Sequence, residues 1–134
     1  MKKQIIVSGR RKSAIAKAKI NEGTGRITFN GLPYEKLMTF HKLALQEPAE
    51  ICKQVLGNFN FDIEIKTSGG GKEAQIEAGR QAIAKAVVKM TNSAEIKKAF
   101  LEYDRRILVA DTRRKETRKP GDSKARAKRQ TSYR

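Results

Sequence analysis

Apolar and polar side chains alternate without exception from residue 59 to residue 66. Phe59, Phe61, Ile63 and Ile65 fall on one side, and Asn60, Asp62, Glu64 and Lys66 on the other. A period of two marks a strand with one buried face, and this is the clearest strand in the chain. A weaker version runs through residues 13–20, where Ala14, Ala16, Ala18 and Ile20 oppose Ser13, Lys17 and Lys19, with Ile15 out of pattern. Residues 4–9 form an extended stretch before it, broken by a bend at Gly9-Arg10-Arg11-Lys12. Asn21 to Gly25 is turn chemistry, and Arg26-Ile27-Thr28-Phe29 alternates again. The pattern predicts a hairpin between 13–20 and 26–29, ended by Asn30-Gly31.

Elsewhere the period lengthens to that of a helix. Pro33 suits the first turn of a short helix through about Phe40. Residues 41–56 place Ala44, Ile51 and Val55 on one stripe with Leu45, Cys52 and Leu56 beside it. Pro48 is expected to divide or kink that helix, because proline removes an amide donor and crowds the preceding turn. Gly57-Asn58 closes it. After the glycine loop Ser68 to Gly71, residues 72–90 form a long helix with Ile76, Ile83, Val87 and Met90 as its apolar seam. Asn92-Ser93 caps a last helix through about Tyr103, with Ile96, Ala99 and Phe100 inward. Asp104-Arg105-Arg106 begins an exit that Ile107-Leu108-Val109 pins to the body.

These elements predict an α+β fold: a two-layer α/β sandwich with a small, mostly antiparallel sheet, helices on one face and a polar opposite face. They also divide the chain into a globular domain, 1–110, and an extended basic C-terminal tail, 111–134. The tail has almost no apolar side chain larger than alanine, and it carries ten cations against Asp111, Glu116 and Asp122. It therefore supplies +7 of a formal net charge of +16. Such a segment cannot bury enough apolar surface to offset the entropy of ordering it, so a polyanion is needed to order it.

Charge narrows the partner to nucleic acid. Lysine and arginine outnumber acids 30 to 14, and a basic excess of that size suits phosphate backbones or anionic membranes. The tail lacks the large apolar anchors of a membrane-surface helix, and no run is long enough to cross a bilayer. Met1-Lys2-Lys3 precedes only Ile5-Ile6-Val7, too short for a secretory leader. Cys52 is the one cysteine, which excludes an intrachain disulfide and fits a reducing compartment.

Catalytic and cofactor chemistry finds little support. Gly69-Gly70-Gly71-Lys72-Glu73-Ala74 matches a dinucleotide fingerprint formally, yet no further parallel strand follows with an acid for a ribose. Its phosphate-loop alternative lacks the hydroxyl residue after Lys72. Exposed amides at a helix N-terminus still attract anions, so an RNA phosphate suits this loop as well as a flexible connection does. His41 is the single histidine, and on one helix Cys52 would lie about 16 Å along the axis, too far for a nucleophile–base pair. One histidine and one cysteine suggest no transition-metal site. Asp62, Glu64, Glu73 and Glu77 read as salt-bridge partners for lysines. Phe59 and Phe61 share a face with Ile63 and Ile65 and belong to the core rather than to base stacking. Neither a cofactor nor a small-molecule substrate is expected, and the chain reads as a non-enzyme.

What remains is one phosphate-binding surface. It comprises Arg10, Arg11 and Lys12 in the bend, Lys17 and Lys19 on the polar sheet face, and Arg26. The loop adds Gly69, Gly70 and Gly71 with Lys72, and the exit adds Arg105 and Arg106. The tail adds Arg113, Arg114, Arg118, Lys119, Lys124, Arg126, Lys128 and Arg129. Arginine grips phosphate oxygens with paired hydrogen bonds, and backbone electrostatics is the main source of affinity.

The segments that carry these cations have a familiar order. Gly9-Arg10-Arg11-Lys12-Ser13-Ala14-Ile15-Ala16-Lys17-Ala18, Gly23 to Gly31, Gly69-Gly70-Gly71, Asp104-Arg105-Arg106 and Lys124 to Gln130 together resemble the family of small-subunit ribosomal protein nine, over essentially the whole chain. Ser132-Tyr133-Arg134 is similar to the archaeal and eukaryotic branch. The resemblance implies a left-handed β-α-β crossover, an exception to the usual hand. It implies a non-enzymatic ribosomal constituent in the cytoplasm, bound to the 3′ major (head) domain of small-subunit rRNA beside neighbouring head proteins. It also implies a tail that reaches the anticodon stem-loop of P-site tRNA through Arg134 with Tyr133 beside it, although Tyr133 departs from the bacterial pattern. Fully extended, the tail spans roughly 80 Å. The residues alone leave three other readings open: an RNA-binding subunit of a processing ribozyme, a DNA-compacting protein and a small phosphate-handling enzyme.

Overall fold

A computed structural model describes residues 3–120 and 124–127. Among these described residues, five strands form one mixed sheet in the order β1-β2-β5-β3-β4. They are β1 (Ile5–Arg11), β2 (Ala14–Glu22), β3 (Ile27–Phe29), β4 (Leu32–Pro33) and β5 (Phe61–Ser68). The α-helices of the described residues, α1 (Thr39–Leu56), α2 (Lys72–Thr91) and α3 (Ala94–Tyr103), complete the α+β sandwich. The alternation of β2 is literal: Ala14, Ala16, Ala18 and Ile20 are wholly buried, while Ile15 and Lys17 are exposed. Facing them, α2 buries Ile76, Ile83 and Val87 together with four alanines. Each fully buried aliphatic side chain there contributes about 1.5–3 kcal/mol.

The hairpin lies one step earlier than the turn chemistry predicts. β1 and β2 pair antiparallel from Ile5↔Ile20 to Arg11↔Ala14, so the turn is Lys12-Ser13, with Lys12 at φ 54. Arg10 and Arg11 are therefore strand residues and not part of a bend. The expected pairing of 13–20 with 26–29 does not form. β5 lies between them, antiparallel to β2 and parallel to β3. A strand of eight residues offers β2 a longer ladder than three-residue β3 can, and β3 with α1 and β5 makes a β-α-β unit instead.

Two further details differ from the periodicity. Tyr34–Lys36 is a single 3₁₀ turn, and α1 starts at Thr39 and runs unbroken through Pro48. An interior proline costs about 3 kcal/mol in a lone helix, but this ring is fully buried in the core, and packing offsets the lost bond. Asn92 ends α2 in the left-handed region, and Ser93 occupies the N-cap position of α3 without a side-chain cap bond. Ile107 is buried in a 3₁₀ turn, Arg105–Ile107, and pins the chain exit to the body as expected. Thr112 to Pro120 is exposed throughout and has no helix or strand.

Candidate nucleic-acid interface

The β1–β2 turn, the end of β5 and the N-terminus of α2 meet at one end of the sheet, because Ile15 pairs with Ser68. Gly69 and Gly70 hold φ of +73° and +62° there, and Cβ atoms on them would sit 2.6 Å from Ser13 O and 2.9 Å from Ala14 Cβ. The glycine loop is thus built to pass close under the hairpin turn. Gln75 braces it, its amide donating to Gly69 O at 3.0 Å. Lys72 is exposed beside it, while Glu73 bonds His41 Nε2 at 2.7 Å. His41 is a satisfied histidine, and burial pushes the Cys52 thiol up to about 11.

The same end receives the tail. Asp111 N donates to Arg10 O at 3.2 Å, and Lys12 N donates to Asp111 O at 2.8 Å. These bonds form one parallel bridge between Arg11 and Asp111. The Asp111 carboxylate accepts from Arg113 Nη2 at 2.8 Å and lies 3.4 Å from Arg11 Nη1. Arg113, by side-chain hydrogen bonds first, with Arg11 adding charge, holds that carboxyl far below the usual carboxylate range. The second rung of this connection is Gln81, 5% exposed on α2. Its Oε1 accepts from Arg10 N at 2.7 Å, and its Nε2 donates to Val109 O.

Alternation separates the cations of the expected bend. Arg11 points to the helix face, where Glu77 takes its Nε at 3.0 Å. Arg10 points to the open face, its Nε donating to Lys12 O at 3.0 Å. The convergent group is instead Arg10, Lys12, Arg113, Arg114 and Lys115, which with Ser13 and Ile15 line a groove of about 760 Å³. No acid lines it. Among the described residues, only Arg113 of its cations is paired, to Asp111 behind it, so the groove suits a run of phosphates rather than a small metabolite.

The groove opens onto the polar sheet face. Ser8, Lys17 and Lys66 stand in one cross-strand row, and Ile6, Lys19 and Glu64 in the next. Lys66 is an addition that pattern reading overlooked, and Lys115, counted among the tail cations but not singled out, joins the groove. Like charges opposed across strands destabilise a sheet, so Lys17 opposite Lys66 is the signal once register is known. Arg26 lies apart, at the opposite end of β5, where Asp62 Oδ1 accepts from the N–H groups of Thr24, Gly25 and Arg26 at 2.9, 3.1 and 3.0 Å.

Other sequence-predicted residues sit further along the exit. Arg106 lines a cleft of about 750 Å³ together with Arg11, Arg80 and Arg113 and with Glu47, Glu77, Asp104 and Asp111; Arg105 is exposed in the same turn. Arg118 and Lys124 line a third cleft, of about 420 Å³, with Arg126, which binds Glu116 with both carboxylate oxygens at 2.7–3.1 Å. Lys119 Nζ donates to Ala127 O at 3.4 Å. Lys128, Arg129, Tyr133 and Arg134 lie outside the described residues. The carboxylates read as lysine partners mostly serve otherwise: Asp62 binds a turn, Glu73 a histidine and Glu77 an arginine, while Glu64 lies 3.6 Å from Lys66 Nζ.

A family model described as ribosomal protein S9/S16 matches residues 9–134. The chain is 42% identical over 129 residues to the small ribosomal subunit protein uS9 of Methanococcus vannielii, covering 94% of this chain and 95% of that one. The uS9 proteins of two Methanococcus maripaludis strains, C7 and S2, are 44% and 43% identical over the same shares. A cationic groove at the root of a basic tail, a five-stranded mixed sheet and similarity along nearly the whole length agree: the chain belongs to the ribosomal protein S9/S16 family.

Proposed function

We propose that this chain is a structural constituent of the small ribosomal subunit in the cytoplasm, a binder of small-subunit rRNA and not an enzyme. The observation that carries the reading is the groove of Arg10, Lys12, Arg113, Arg114 and Lys115, free of acidic lining and continuous with Lys17, Lys19 and Lys66. The body, residues 1–110, docks through this end and face, with Gly69, Gly70, Gly71 and Lys72 at its border. The tail, 111–134, leaves the groove and continues along the RNA through Arg118, Lys119, Lys124, Arg126, Lys128 and Arg129. Arg105 and Arg106 add contacts at the exit, Arg11 acts by holding the tail root, and Arg26 meets RNA at the far edge.

The finer assignments rest on family membership and on the reach of the tail. The RNA partner is the 3′ major (head) domain, with neighbouring head proteins alongside. Tyr133 and Arg134 reach the anticodon stem-loop of P-site tRNA. The test is a titration of full-length protein with a head-domain rRNA fragment at several salt concentrations. Neutralising six to ten phosphates weakens binding about 10³–10⁵-fold between roughly 50 and 200 mM salt. An affinity indifferent to salt would overturn the reading.

A further inference from the structure

We infer that Gln81 is a positioning residue that sets the course of the basic tail past the hairpin end. The inference builds on the groove reading, but its first consequence is visible in the protein without RNA. In a parallel ladder through the Arg11–Asp111 bridge, the next bond would run directly from Arg10 N–H to the carbonyl of Val109. The chain does not make it. Gln81 inserts its side-chain amide between the two, accepting from Arg10 N at 2.7 Å and donating to Val109 O. Its Nε2 also reaches Arg106 O at 3.5 Å. One peptide-like group thus replaces one ladder bond with two and holds residues 106–109 an amide's width away from β1.

The spacing matters because the tail regains contact only two residues later. Asp111 closes onto Arg10 and Lys12, so the chain crosses from a stand-off at Val109 to direct pairing at Asp111. That slant carries Arg113, Arg114 and Lys115 over Ser13 and Ile15, where with Arg10 and Lys12 they line the groove. Gln81 is buried at 5%, on the helix whose Ala78 and Ala82 border Gly9. A buried amide with both ends bonded is costly to disturb, so the slant is fixed before any partner arrives.

The test uses full-length protein and two variants. Gln81→Met keeps the bulk and removes both bonds; Gln81→Glu keeps the acceptor for Arg10 N and removes the donor to Val109 O. Amide hydrogen exchange of the free proteins should speed at Lys12 and Asp111 in both, while the β2–β5 amides stay protected. Arg10 should remain slow in the glutamate variant alone. Unchanged exchange at Lys12 and Asp111 overturns the inference, as does their rapid exchange in the parent protein, which decides the matter if neither variant folds. Binding to the rRNA fragment should weaken on the order of tenfold in Gln81→Met. It should weaken much less when Arg114→Gln and Lys115→Gln are already present. Equal losses in both backgrounds would mean that Gln81 is merely structural. If Arg114→Gln with Lys115→Gln leaves binding untouched, the groove reading fails instead, and the exchange result alone decides the role of Gln81.

Discussion

At Gly9 the helix layer comes down on the sheet with no room for a side chain. A Cβ there would lie 2.2 Å from Ala78 O and 2.7 Å from Ala82 N, both backbone atoms of α2. Backbone cannot swing aside as a flexible side chain can, so Gly9→Ala must lift α2 away from β1 or distort the strand. The expected loss is about 1–3 kcal/mol, read as a lower midpoint in urea unfolding with an unchanged slope. A change under about 0.5 kcal/mol would show that α2 can ride up without consequence. In the sequence this glycine reads as a breaker next to three cations, because local pattern reports backbone freedom and not what packs overhead. Arg11 is misplaced for the same reason. Its charge is legible, but its inward direction follows from strand parity, and its partners, Glu77 and Asp111, are 66 and 100 residues away in the chain.

Among the elements, β3 is led to its place beside β5 by a loop that folds around one carboxylate. The turn chemistry of Asn21 to Gly25 suggests an ordinary hairpin, yet the loop wraps its amides around Asp62 at the start of β5. These backbone bonds, from Arg26 first and then Thr24, hold the Asp62 carboxyl below its ordinary range. Because the folded value is depressed, the stabilisation is complete above the unfolded value of about 3.9. It is lost as pH falls through the folded value. Asp62→Asn should cost about 1 kcal/mol at neutral pH. Its gap from the parent in denaturant unfolding should close steadily below about pH 4. A gap that stays constant down to pH 2 would rule out ionisation as the source. Strands β1, β2, β3 and β5, the long α2 and the α3 boundary are legible because their periods are local, whereas β4 falls where Pro33 suggests a helix start. Pairing order is not, since β5 enters between β2 and β3 from over 30 residues downstream, and Pro48 survives inside α1 because tertiary burial outweighs a local penalty.

Across the whole molecule, positive charge gathers at the hairpin end of the sheet and along the C-terminal sequence. The density of tail cations is plain from composition, but their convergence with Arg10 and Lys12 depends on the Arg11–Asp111 bridge, which no periodicity announces. On the proposed function, that bridge divides the tail's work. Arg114 and Lys115 lie on the body at the groove, so they should contribute to RNA docking itself. Residues beyond Arg129 are separated from the groove by at least 14 positions, up to roughly 50 Å of extended chain, and should act elsewhere. Replacing Arg114 and Lys115 with glutamine should therefore reduce the salt slope of rRNA binding by roughly one to two and lower incorporation into reconstituted subunits. Deleting Thr131 to Arg134 should leave both within about twofold, since Arg134 is the one cation removed, while weakening retention of P-site tRNA on the finished particle. If the deletion instead abolishes incorporation, the end of the tail is an assembly element. The division of labour drawn at Asp111 would then be wrong, because phosphate neutralisation at the groove would not suffice to hold the protein in place.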